Sequence, residues 1–330
     1  MDKVRWGVLG TADIATKKVI PAMQNGQYCN IRAIASRDLK RAQAVAEELG
    51  IAQAYGSYEE VLSDAGVDAV YIPLPNNLHV TWCVKALEAG KHVLCEKPLA
   101  TSTAEVRELL AIAQAHPNLK VMEAFMYRFH PQWQTAKRLV DEGQLGELHA
   151  VQSFLAYYNV NPQDIRNRVE TGGGALLDLG CYGISFARFI FGAEPRRVLG
   201  ILEFDPSFHT DRMVSGILSF AHGTGAFTCA TQLYPTQTAR IAGYEGTIEI
   251  EVALNAPPDR PTRIKVYRGG EVQEMLMPIC NQYTLQGDAF SRAVLDDSPV
   301  PISLNDAVAN MAVIEAVAQA SHVGGCVQVC

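Results

Sequence analysis

The sequence predicts an α/β protein in which a doubly wound parallel sheet precedes an α+β domain with a mostly antiparallel sheet. Short apolar strands alternate with helical segments over about the first 124 residues, and a glycine-containing turn follows the first strand. From residue 197 to residue 278 the chain is instead a succession of strand patterns. Alternation of strands and helices is typical of parallel sheets, whereas successive strands indicate antiparallel pairing. We therefore expect two domains, residues 1–124 and 125–330.

Length and composition agree with this division and exclude several classes of function. The chain has 330 residues, more than a single hydrophobic core usually serves. Hydrophobic residues make up 48% of it and charged residues 19%, so both domains can bury full cores. The net charge of −7 provides no basic surface, which argues against nucleic acid as the main partner. No run of about eighteen apolar residues occurs, so we predict no membrane span.

The cysteines and the first residues predict the cellular compartment. The eight cysteines are scattered, and none forms a CxxC pair of the kind that binds metal. Several lie in apolar runs, where a thiol packs as a small hydrophobic group. The first residues lead directly into a strand and leave no room for a signal peptide. We expect a reduced, cytoplasmic protein without a structural metal.

The turn after the first strand, Val4–Leu9, has the form of a dinucleotide-binding fingerprint. Gly10 stands at the first glycine position, where the chain turns tightly, and Ala12 stands at the second, where backbone approaches a pyrophosphate. Ala12 departs from the glycine pattern, but a predicted helix from Ile14 to Met23 follows, and its first amides would face the phosphates. The predicted cofactor-binding residues of this turn are Gly10, Thr11, Ala12, Asp13 and Ile14.

The end of the next strand, Ile31–Ala35, predicts the type of cofactor. NAD-binding sites usually place a carboxylate there for the ribose 2′-hydroxyl, but this chain has Ser36 followed by Arg37. A hydroxyl and a guanidinium suit a 2′-phosphate. We therefore expect NADP, while Asp38 keeps NAD as an alternative. A solvated Arg37 without a ligand is the purely structural alternative.

The stretch Glu96-Lys97-Pro98 ends a short buried strand that begins at His92. Ligands bind beyond the carboxyl ends of strands in open α/β sheets, so Lys97 lies where a cofactor or substrate is expected. Pro98 cannot join a sheet ladder, and the peptide bond before it could be cis, which would hold Lys97 in one direction. For an isolated Lys-Pro pair, a solvated charged turn is the alternative.

The turn from Pro75 to His79 precedes a helix at the same predicted edge of the sheet as Lys97. Its two asparagines, Asn76 and Asn77, have two possible roles. Either one of them caps the helix, or one contacts the nicotinamide of a bound cofactor. The sequence does not decide between these roles.

The helix predicted from Ala175 to Phe191 carries the candidate catalytic groups of the second domain. It follows the run Gly172-Gly173-Gly174, and Asp178 and Tyr182 share one of its faces because they are four residues apart. Removing a hydride from a carbinol carbon requires a base for the hydroxyl proton, and a tyrosine beside a lysine can supply it. We predict Tyr182 and Lys97 as that pair, with Asp178 accepting hydrogen bonds from a polyol. A structural helix pair is the alternative.

The later strands predict self-association. The strand patterns Met213–Ala221 and Gly225–Gln232 are fairly apolar on both faces. Helices easily cover only one face of such a sheet, so we expect the other face to pack against a second copy of the chain. The sequence thus predicts a homodimer or a higher homo-oligomer.

Taken together and in this order, the motifs resemble those of the glucose–fructose oxidoreductase/inositol dehydrogenase/rhizopine catabolism (Gfo/Idh/MocA) family. The resemblance covers essentially the whole chain and implies a Rossmann fold followed by a domain with an open-faced sheet used for oligomerisation. It rests on Gly10-Thr11-Ala12, Ser36-Arg37, Pro75-Asn76-Asn77-Leu78-His79, Glu96-Lys97-Pro98, Tyr127-Arg128 and the stretch from Gly172 to Tyr182.

The resemblance also implies roles for single residues. Lys97 matches the family lysine that contacts nicotinamide ribose and substrate. Tyr182 matches the acid/base, which is a tyrosine in the sugar and dihydrodiol dehydrogenase branches and a histidine in the inositol branch. Asp178 matches the polyol-binding carboxylate, and Arg128 and Arg166 match substrate-side positions. The remaining predicted cofactor-binding residues are Pro75, Asn76, His79 and Glu96.

We therefore expect an NADP-dependent oxidoreductase that transfers a hydride between nicotinamide and an aldose, another pyranose or a similar polyol. A trans-dihydrodiol dehydrogenase or a keto-sugar reductase is the alternative within this class. A non-catalytic dinucleotide-binding regulator is the alternative outside it, but such relatives tend to lose the lysine or the tyrosine. The sequence does not specify the carbon oxidised, the direction, or whether the cofactor leaves between turnovers.

Overall fold

The structure is a computed structural model that describes residues 2–329. Its contacts divide the chain into two compact units. The first comprises the residues up to Met126 together with Asn281–Val308, and the second comprises Tyr127–Cys280 together with the residues from Ala309 onward. The division expected from sequence placed everything after residue 124 in one domain, whereas the structure groups Asn281–Val308 with the first unit. A segment that returns to an earlier part of the fold leaves no local signal in the sequence.

The first unit is built on six parallel strands. They are β1 (Val4–Leu9), β2 (Cys29–Ala35), β3 (Gln53–Tyr55), β4 (Ala69–Ile72), β5 (His92–Cys95) and β6 (Val121–Glu123). Their order in the sheet, β3-β2-β1-β4-β5-β6, is that of the dinucleotide-binding fold. β1 and β4 are almost wholly buried, as is usual when helices cover both faces of a sheet. The predicted doubly wound parallel sheet is confirmed.

Five helices connect these strands, and their sequences show why they begin where they do. They are α1 (Ile20–Gln24), α2 (Leu39–Leu49), α3 (Tyr58–Ser63), α4 (His79–Glu88) and α5 (Thr103–Ala115). The side chains of Ser57 before α3 and Ser102 before α5 each accept a hydrogen bond from the backbone amide of a glutamate three residues later. The carboxylate of that glutamate accepts a hydrogen bond from the serine amide in return. These are capping boxes, which satisfy helix-terminal amides that would otherwise lack a partner.

The helix predicted from Ile14 to Met23 is irregular. Ala15–Val19 form a π-helix, and α1 follows it. The amide of Ile20 bonds to the carbonyl of Ala15, five residues back, and Pro21 has no amide to donate. The proline therefore removes a regular helical hydrogen bond at the place where the helix changes type.

The second unit is built on a nine-stranded sheet. It contains the helices α6 (Pro131–Asp141) and α7 (Cys181–Phe191). Its strands are β7 (Leu148–Tyr158), β8 (Arg197–Phe204), β9 (Asp211–Ser219), β10 (Thr224–Ala230), β11 (Gln232–Gly243), β12 (Gly246–Ile250), β13 (Arg263–Arg268), β14 (Glu271–Leu276) and β15 (Val327–Gln328). In the order β14-β13-β12-β11-β7-β10-β9-β8-β15, the pair β7–β10 is parallel and the other pairs are antiparallel. The mostly antiparallel sheet is confirmed.

The two faces of this sheet differ. α7 packs against β7 and β10 on one face. A Cβ at Gly183 would lie only 2.8 Å from the Cβ of Phe227 on β10, so glycine lets the helix lie close to the strands. The other face surrounds a cavity of about 1020 Å³ whose lining includes Ile217 and Ile201, and the latter is 73% exposed. This apolar surface is the open face that the sequence predicted.

Two further helices, α8 (Gln282–Leu295) and α9 (Leu304–Val323), lie in the chain between β14 and β15. α8 packs on the first sheet, where the indole nitrogen of Trp6 donates to the hydroxyl of Ser291 at 3.1 Å. The carboxylate of Asp288 accepts the amide of Tyr28, just before β2, at 2.9 Å. These contacts explain why the returning segment belongs to the first unit.

One stretch of the described chain, Val169–Phe191, is long and apolar enough to span a membrane by length and composition. However, 78% of its most apolar window is buried inside the protein. The stretch contains α7, and it therefore has the properties of a core helix.

Candidate active site

The turn after β1 has the geometry expected of the dinucleotide fingerprint. Gly10 has a φ of 122°, in the region that favours glycine, and its amide bonds to the carbonyl of Ala35 at 2.9 Å. A Cβ at Gly10 would also lie 3.2 Å from the side chain of Leu74. Asp13, in the same turn, pairs in solvent with Lys17 at 2.7 Å. Glycine is therefore required where the chain leaves β1.

The polar groups after β2 favour a phosphate over a ribose hydroxyl. Asp38 caps α2, because its Oδ1 accepts the amides of Lys40 and Arg41 at 3.0 and 3.4 Å. The cap gives this carboxylate a structural role that is independent of any cofactor. Ser36 is buried, and its hydroxyl accepts the amide of Asp38 at 3.2 Å. The carboxylate of Asp38, the reason for keeping NAD as an alternative, is thus already hydrogen-bonded at the start of α2.

Two arginines lie near the hydroxyl of Tyr58 next to this turn. Burial raises the pKa of Tyr58, whereas the guanidinium charges of Arg37 and Arg41 lower it. Arg41 also donates to the carbonyl of Thr11 at 3.1 Å. Arg41 lies in the first turn of α2 and was not predicted from the sequence, where Arg37 precedes the cap residue of that helix.

A second cluster of polar groups lies at the carboxyl ends of β4 and β5. The hydroxyl of Tyr71 donates to Glu96 Oε1 at 2.6 Å. Tyr283, at the start of α8, lies near the same carboxylate, and its pKa is raised by burial and then by the charge of Glu96. The Lys97–Pro98 bond is cis, as the sequence suggested. The hydroxyl of Tyr71 therefore holds Glu96 directly before Lys97.

His79 anchors two turns at this edge of the sheet. Its ring is fully buried, with Nδ1 2.8 Å from the carbonyl oxygen of Pro98 and Nε2 2.7 Å from that of Leu74. Burial lowers its pKa to about 4, although both carbonyl oxygens oppose this shift. We therefore correct the prediction for His79. Its neutral imidazole donates from one nitrogen to the carbonyl oxygen of either Pro98 or Leu74, and both nitrogens face these two turns rather than a cofactor.

The asparagines before α4 form a short 3₁₀ helix, Asn76–Leu78. The amide of Leu78 bonds to the carbonyl of Pro75 at 2.9 Å and closes this turn. The residue in the cap position of α4 is Leu78, so neither asparagine occupies it. Contact of Asn76 and Pro75 with nicotinamide stays a prediction.

In the second unit, two donors hold the carboxylate of Asp178. Tyr157 donates to its Oδ2 at 2.6 Å, and Arg166 donates to the same oxygen at 3.1 Å. The charge of Asp178 raises the pKa of Arg166, and burial followed by that charge raises the pKa of Tyr157. Asp178 is 9% exposed, and a paired guanidinium offsets the burial of its charge. We call these three residues the carboxylate cluster.

Tyr182 lies in the first turn of α7 and is buried. Its ring centroid is 6.1 Å from that of Tyr127 and 6.2 Å from that of Phe186, so aromatic neighbours surround it. Asp178 belongs to the turn immediately before, Leu176–Gly180, which is a π-helix. The structure thus places both residues on one continuous helical segment, as predicted, with an irregular first turn.

The two arginines predicted on the substrate side have different surroundings. Arg166 belongs to the carboxylate cluster. Arg128 instead donates to the hydroxyl of Ser185 at 3.2 Å and lies over the ring of Phe189, 5.2 Å from its centroid. Ser185 and Phe189 follow Tyr182 by three and seven positions and share its face of α7. Arg128 therefore lies along the face of α7 that carries Tyr182.

The glycine run before the helix is required by its backbone conformation and by neighbouring atoms that leave no room for a Cβ. Gly172 has a φ of 75° and ends a short 3₁₀ helix. A Cβ at Gly173 would lie 2.5 Å from the carbonyl oxygen of Arg166, and a Cβ at Gly174 would overlap the carboxylate of Asp211. The sequence analysis missed Asp211 and Tyr157, because no periodic pattern connects either of them with the helix.

Two protein-family models match the chain. Residues 4–125 match the model described as an oxidoreductase family with an NAD-binding Rossmann fold. Residues 133–249 match the model of the GFO/IDH/MocA C-terminal domain. Each match falls largely within one of the two compact units.

Similar proteins include several oxidoreductases. An uncharacterised oxidoreductase of Rhizobium meliloti is 42% identical over 98% of both chains. The D-xylose 1-dehydrogenase (NADP(+)) 2 of Haloferax volcanii is 37% identical over 98% of this chain and 99% of its own. A trans-1,2-dihydrobenzene-1,2-diol dehydrogenase of Xenopus laevis is 34% identical over 77% of both chains.

Solved structures of similar fold include two sugar enzymes. A 3-ketoreductase from Actinomadura kijaniata, in complex with NADP and TDP-benzene, has a TM-score of 0.91 and 30% identity. The match covers 96% of this chain and 98% of that one. An aldose-aldose oxidoreductase from Caulobacter crescentus, in complex with glycerol, has a TM-score of 0.92 and 26% identity over 99% of both chains.

Proposed function

The chain belongs to the GFO/IDH/MocA family of oxidoreductases, and from that premise we propose that it transfers a hydride between NADP and a sugar or similar polyol. The observation that carries this proposal is the carboxylate cluster on the helix of Tyr182. A carboxylate held by one guanidinium and one hydroxyl is suited to accept hydrogen bonds from neighbouring substrate hydroxyls. The helix therefore combines a polyol acceptor with a candidate proton donor.

We assign the cofactor as NADP and the residues that hold it to the first unit. Ser36, Arg37 and Arg41 provide a hydroxyl and two cations at the place of the 2′-phosphate, while the carboxylate of Asp38 is used as a helix cap. The turn that begins at Gly10 holds the pyrophosphate through backbone amides. The other residues assigned to the cofactor are Thr11, Ala12, Asp13, Ile14, Pro75, Asn76, Glu96 and Lys97.

The cofactor assignment predicts that an arginine variant discriminates less between NADP and NAD. Arg37→Ala should weaken NADP binding roughly tenfold and leave NAD binding unchanged, because a charge-assisted hydrogen bond contributes about 1.5–3 kcal/mol. The measurement is the dissociation constant of each nucleotide by fluorescence titration. Arg107→Ala, at an exposed position on α5, is the matched control. Equal weakening of NADP and NAD would contradict the assignment.

The proposed chemistry divides between the two units. When bound, nicotinamide accepts or donates the hydride. Tyr182 exchanges the proton of the reacting substrate oxygen, and Asp178 orients a neighbouring hydroxyl. Lys97 supplies the positive charge that favours a phenolate, since the tyrosine pKa of about 10 is otherwise too high at neutral pH. Such a positioned acid/base contributes roughly 10²–10⁴-fold in rate.

Two alternatives concern the substrate and one concerns catalysis itself. Reduction of a keto-sugar and oxidation of a trans-dihydrodiol would use the same groups. A sugar 3-reductase and a trans-dihydrodiol dehydrogenase are each similar in sequence to this chain. A non-catalytic dinucleotide-binding regulator is the third alternative. This chain retains Lys97, Asp178 and Tyr182 together, which supports an enzyme.

The experiment that tests the function combines a substrate panel with a matched pair of lysine variants. Purified protein is mixed with NADP and single aldoses, with NADPH and keto-sugars, and with NADP and trans-dihydrodiols, while reduced nicotinamide is followed by absorbance. Lys97→Met should abolish turnover, whereas Lys120→Met should preserve it. Lys120 lies just before β6, at the amino edge of the sheet, and pairs with Asp297. Nucleotide binding without turnover on any panel member would support the regulator instead.

We also infer a homodimer that forms through the open face of the nine-stranded sheet. The exposed Ile201 and Ile217 make that face apolar, which is typical of a protein–protein contact. Sedimentation at micromolar concentration should give a dimer, and Ile201→Asp together with Ile217→Asp should give a monomer. A monomeric wild-type protein would contradict this inference.

We place the protein in the cytoplasm. The seven cysteines between residues 2 and 329 form no disulfide with one another, which agrees with a reducing compartment. Fractionation of cells that express a tagged chain is the test, and recovery with secreted or membrane proteins would contradict the placement.

A further inference from the structure

The helical turn that carries Asp178 begins next to a partly buried carboxylate of the sheet. Asp211, the first residue of β9, accepts a hydrogen bond from the amide of Leu176 through Oδ2 at 2.6 Å. A backbone amide at the start of the helical segment is thus satisfied by a side chain that lies far away in sequence.

The backbone before the helix is shaped around this carboxylate. Gly174 has a φ of 117°, and a Cβ at this position would overlap the oxygens of Asp211. On the other side, the thiol of Cys229 on β10 donates to the carbonyl of Ala175 at 3.4 Å. The helix start is therefore fixed to two neighbouring strands, β9 and β10, through the amide of Leu176 and the carbonyl of Ala175.

We propose that Asp211 is a positioning residue for the proposed reaction, acting through the amide of Leu176 to fix the turn that carries Asp178 and, one turn later, Tyr182. The proposal rests on the proposed function and adds a residue that touches neither the substrate nor the cofactor. Leu176 and Asp178 belong to the same π-helical turn, so a displacement of the Leu176 amide moves the carboxylate cluster with it. Misplacement of reacting groups by about 1 Å can reduce rates roughly 10²-fold.

The ionisation of Asp211 provides a signature that a merely structural residue lacks. Burial raises its pKa to about 7, although the backbone amides lower it. The titratable groups around it are Asp178 on the helix and Cys229 on β10. Its chain neighbour Arg212 pairs with Glu203 of β8. The ionised carboxylate is the stronger acceptor for the Leu176 amide, so the helix start is held best above pH 7.

The test compares Asp211→Ala and Asp211→Asn with the control Asp205→Ala. Asp205 is a buried aspartate of the same unit whose carboxylate likewise accepts hydrogen bonds from backbone amides, those of Ser207 and Phe208, both at 2.8 Å, but in a turn rather than at the helix. Hydrogen exchange measured by mass spectrometry reports the amides from 174 to 183 without any substrate. Turnover, nucleotide affinity and the pH profile of kcat report how a displaced helix start affects the proposed reaction.

The expected results are specific for each variant. Asp211→Ala accelerates exchange between 174 and 183 roughly tenfold, the scale of a lost helix cap, and lowers kcat about 10- to 100-fold with nucleotide affinity unchanged. Asp211→Asn keeps the shape of the side chain, so it loses less kcat, but the inflection of kcat near pH 7 disappears. Asp205→Ala changes exchange only in its own turn and leaves kcat unchanged.

Several outcomes would overturn the proposal. These are unchanged exchange at 174–183 in both Asp211 variants, faster exchange without loss of kcat, or an inflection near pH 7 that persists in Asp211→Asn. If Asp211→Ala does not fold, Asp211→Asn decides by the same readouts. If the wild-type protein turns over no sugar, the proposed function fails separately, and the exchange experiment still decides whether Asp211 fixes the helix.

Discussion

The two units place their functional groups in different ways. In the first unit, Gly10, Ser36 and Glu96 directly follow the strands β1, β2 and β5, so the parallel strand order brings them to one edge of the sheet. In the second unit, Asp178 is held by Tyr157 from β7 and by Arg166 from the short 3₁₀ helix Ile165–Asn167. Topology positions the first set, whereas individual side-chain contacts position the second.

This difference predicts how each unit responds to substitution. A change at the edge of the first sheet should alter the binding of the nucleotide, because the backbone that presents the site is supported by the whole sheet. A change in the carboxylate cluster should alter turnover or substrate affinity, because single hydrogen bonds hold its geometry. Four substitutions test this contrast, beginning with the largest expected effect.

Tyr182→Phe should lower kcat about 10²- to 10⁴-fold, since the variant keeps the ring and loses the hydroxyl that exchanges the proton. Nucleotide affinity should remain unchanged, because the residue belongs to the other unit. Steady-state kinetics and a fluorescence titration measure the two quantities. Tyr244→Phe, at an exposed tyrosine, is the control. The double variant with Lys97→Met should lose little more than Lys97→Met alone, and fully additive losses would show that the two residues do not act together.

His79→Gln should remove a pH dependence of stability from the first unit. The folded pKa of His79 is lowered to about 4, below the unfolded value of about 6.5, so the neutral ring stabilises the fold above pH 6.5. This stabilisation, about 3 kcal/mol, is lost as the pH falls from 6.5 through 4. Urea unfolding at several pH values measures it. His322→Gln, at an exposed position, should keep the wild-type slope, and an unchanged slope in His79→Gln would contradict the role of this anchor.

Tyr157→Phe should raise KM for the sugar roughly tenfold and leave nucleotide affinity unchanged. The variant removes one hydrogen bond to a buried carboxylate, worth about 1.5–3 kcal/mol, while Arg166 still holds the other side. Initial-rate kinetics with the best sugar of the panel provide the measurement. Tyr158→Phe, at the exposed neighbouring tyrosine, is the matched control. A loss of nucleotide affinity with unchanged KM would contradict the assignment of nucleotide binding to the first unit and of sugar binding to the second.

Ser102→Ala should cost about 1 kcal/mol of stability without affecting kinetics, since it removes the capping box of α5 and touches no proposed site residue. Chemical unfolding monitored by circular dichroism gives the stability. Ser298→Ala, outside any helix, should change it little. A substantial change in kcat would mean that the first unit is less rigid than its topology suggests.

Much of the first unit could be predicted from sequence because its signals are local. The strand Val4–Leu9 was predicted from neighbouring residues and agrees with the structure. The capping boxes at Ser57 and Ser102 likewise depend only on residues three positions apart. The three-residue strand Gln53–Tyr55 was missed because it is too short for an alternating pattern. The return of Asn281–Val308 was missed because it depends on tertiary contacts such as that of Trp6 with Ser291.

The candidate site follows the same rule. Lys97, Asp178 and Tyr182 stand in recognisable motifs, and the sequence therefore predicts them as site residues. Tyr157 and Asp211 act on the helix from distant strands, and nothing in their own surroundings in the sequence indicates it. His79 stands in a motif, but its ring nitrogens face two backbone carbonyls, and this arrangement depends on tertiary structure.

The most direct test of hydride transfer uses sugars that carry deuterium on their carbons. Wild-type protein is incubated with NADP and a mixture of such aldoses, the protein is denatured, and the released nucleotide is analysed by mass spectrometry. This design also detects transfer when the cofactor does not leave between turnovers. We predict one deuterium on the nicotinamide ring with wild-type protein and none with Tyr182→Phe. Bound nucleotide without deuterium in the wild-type protein would contradict the account.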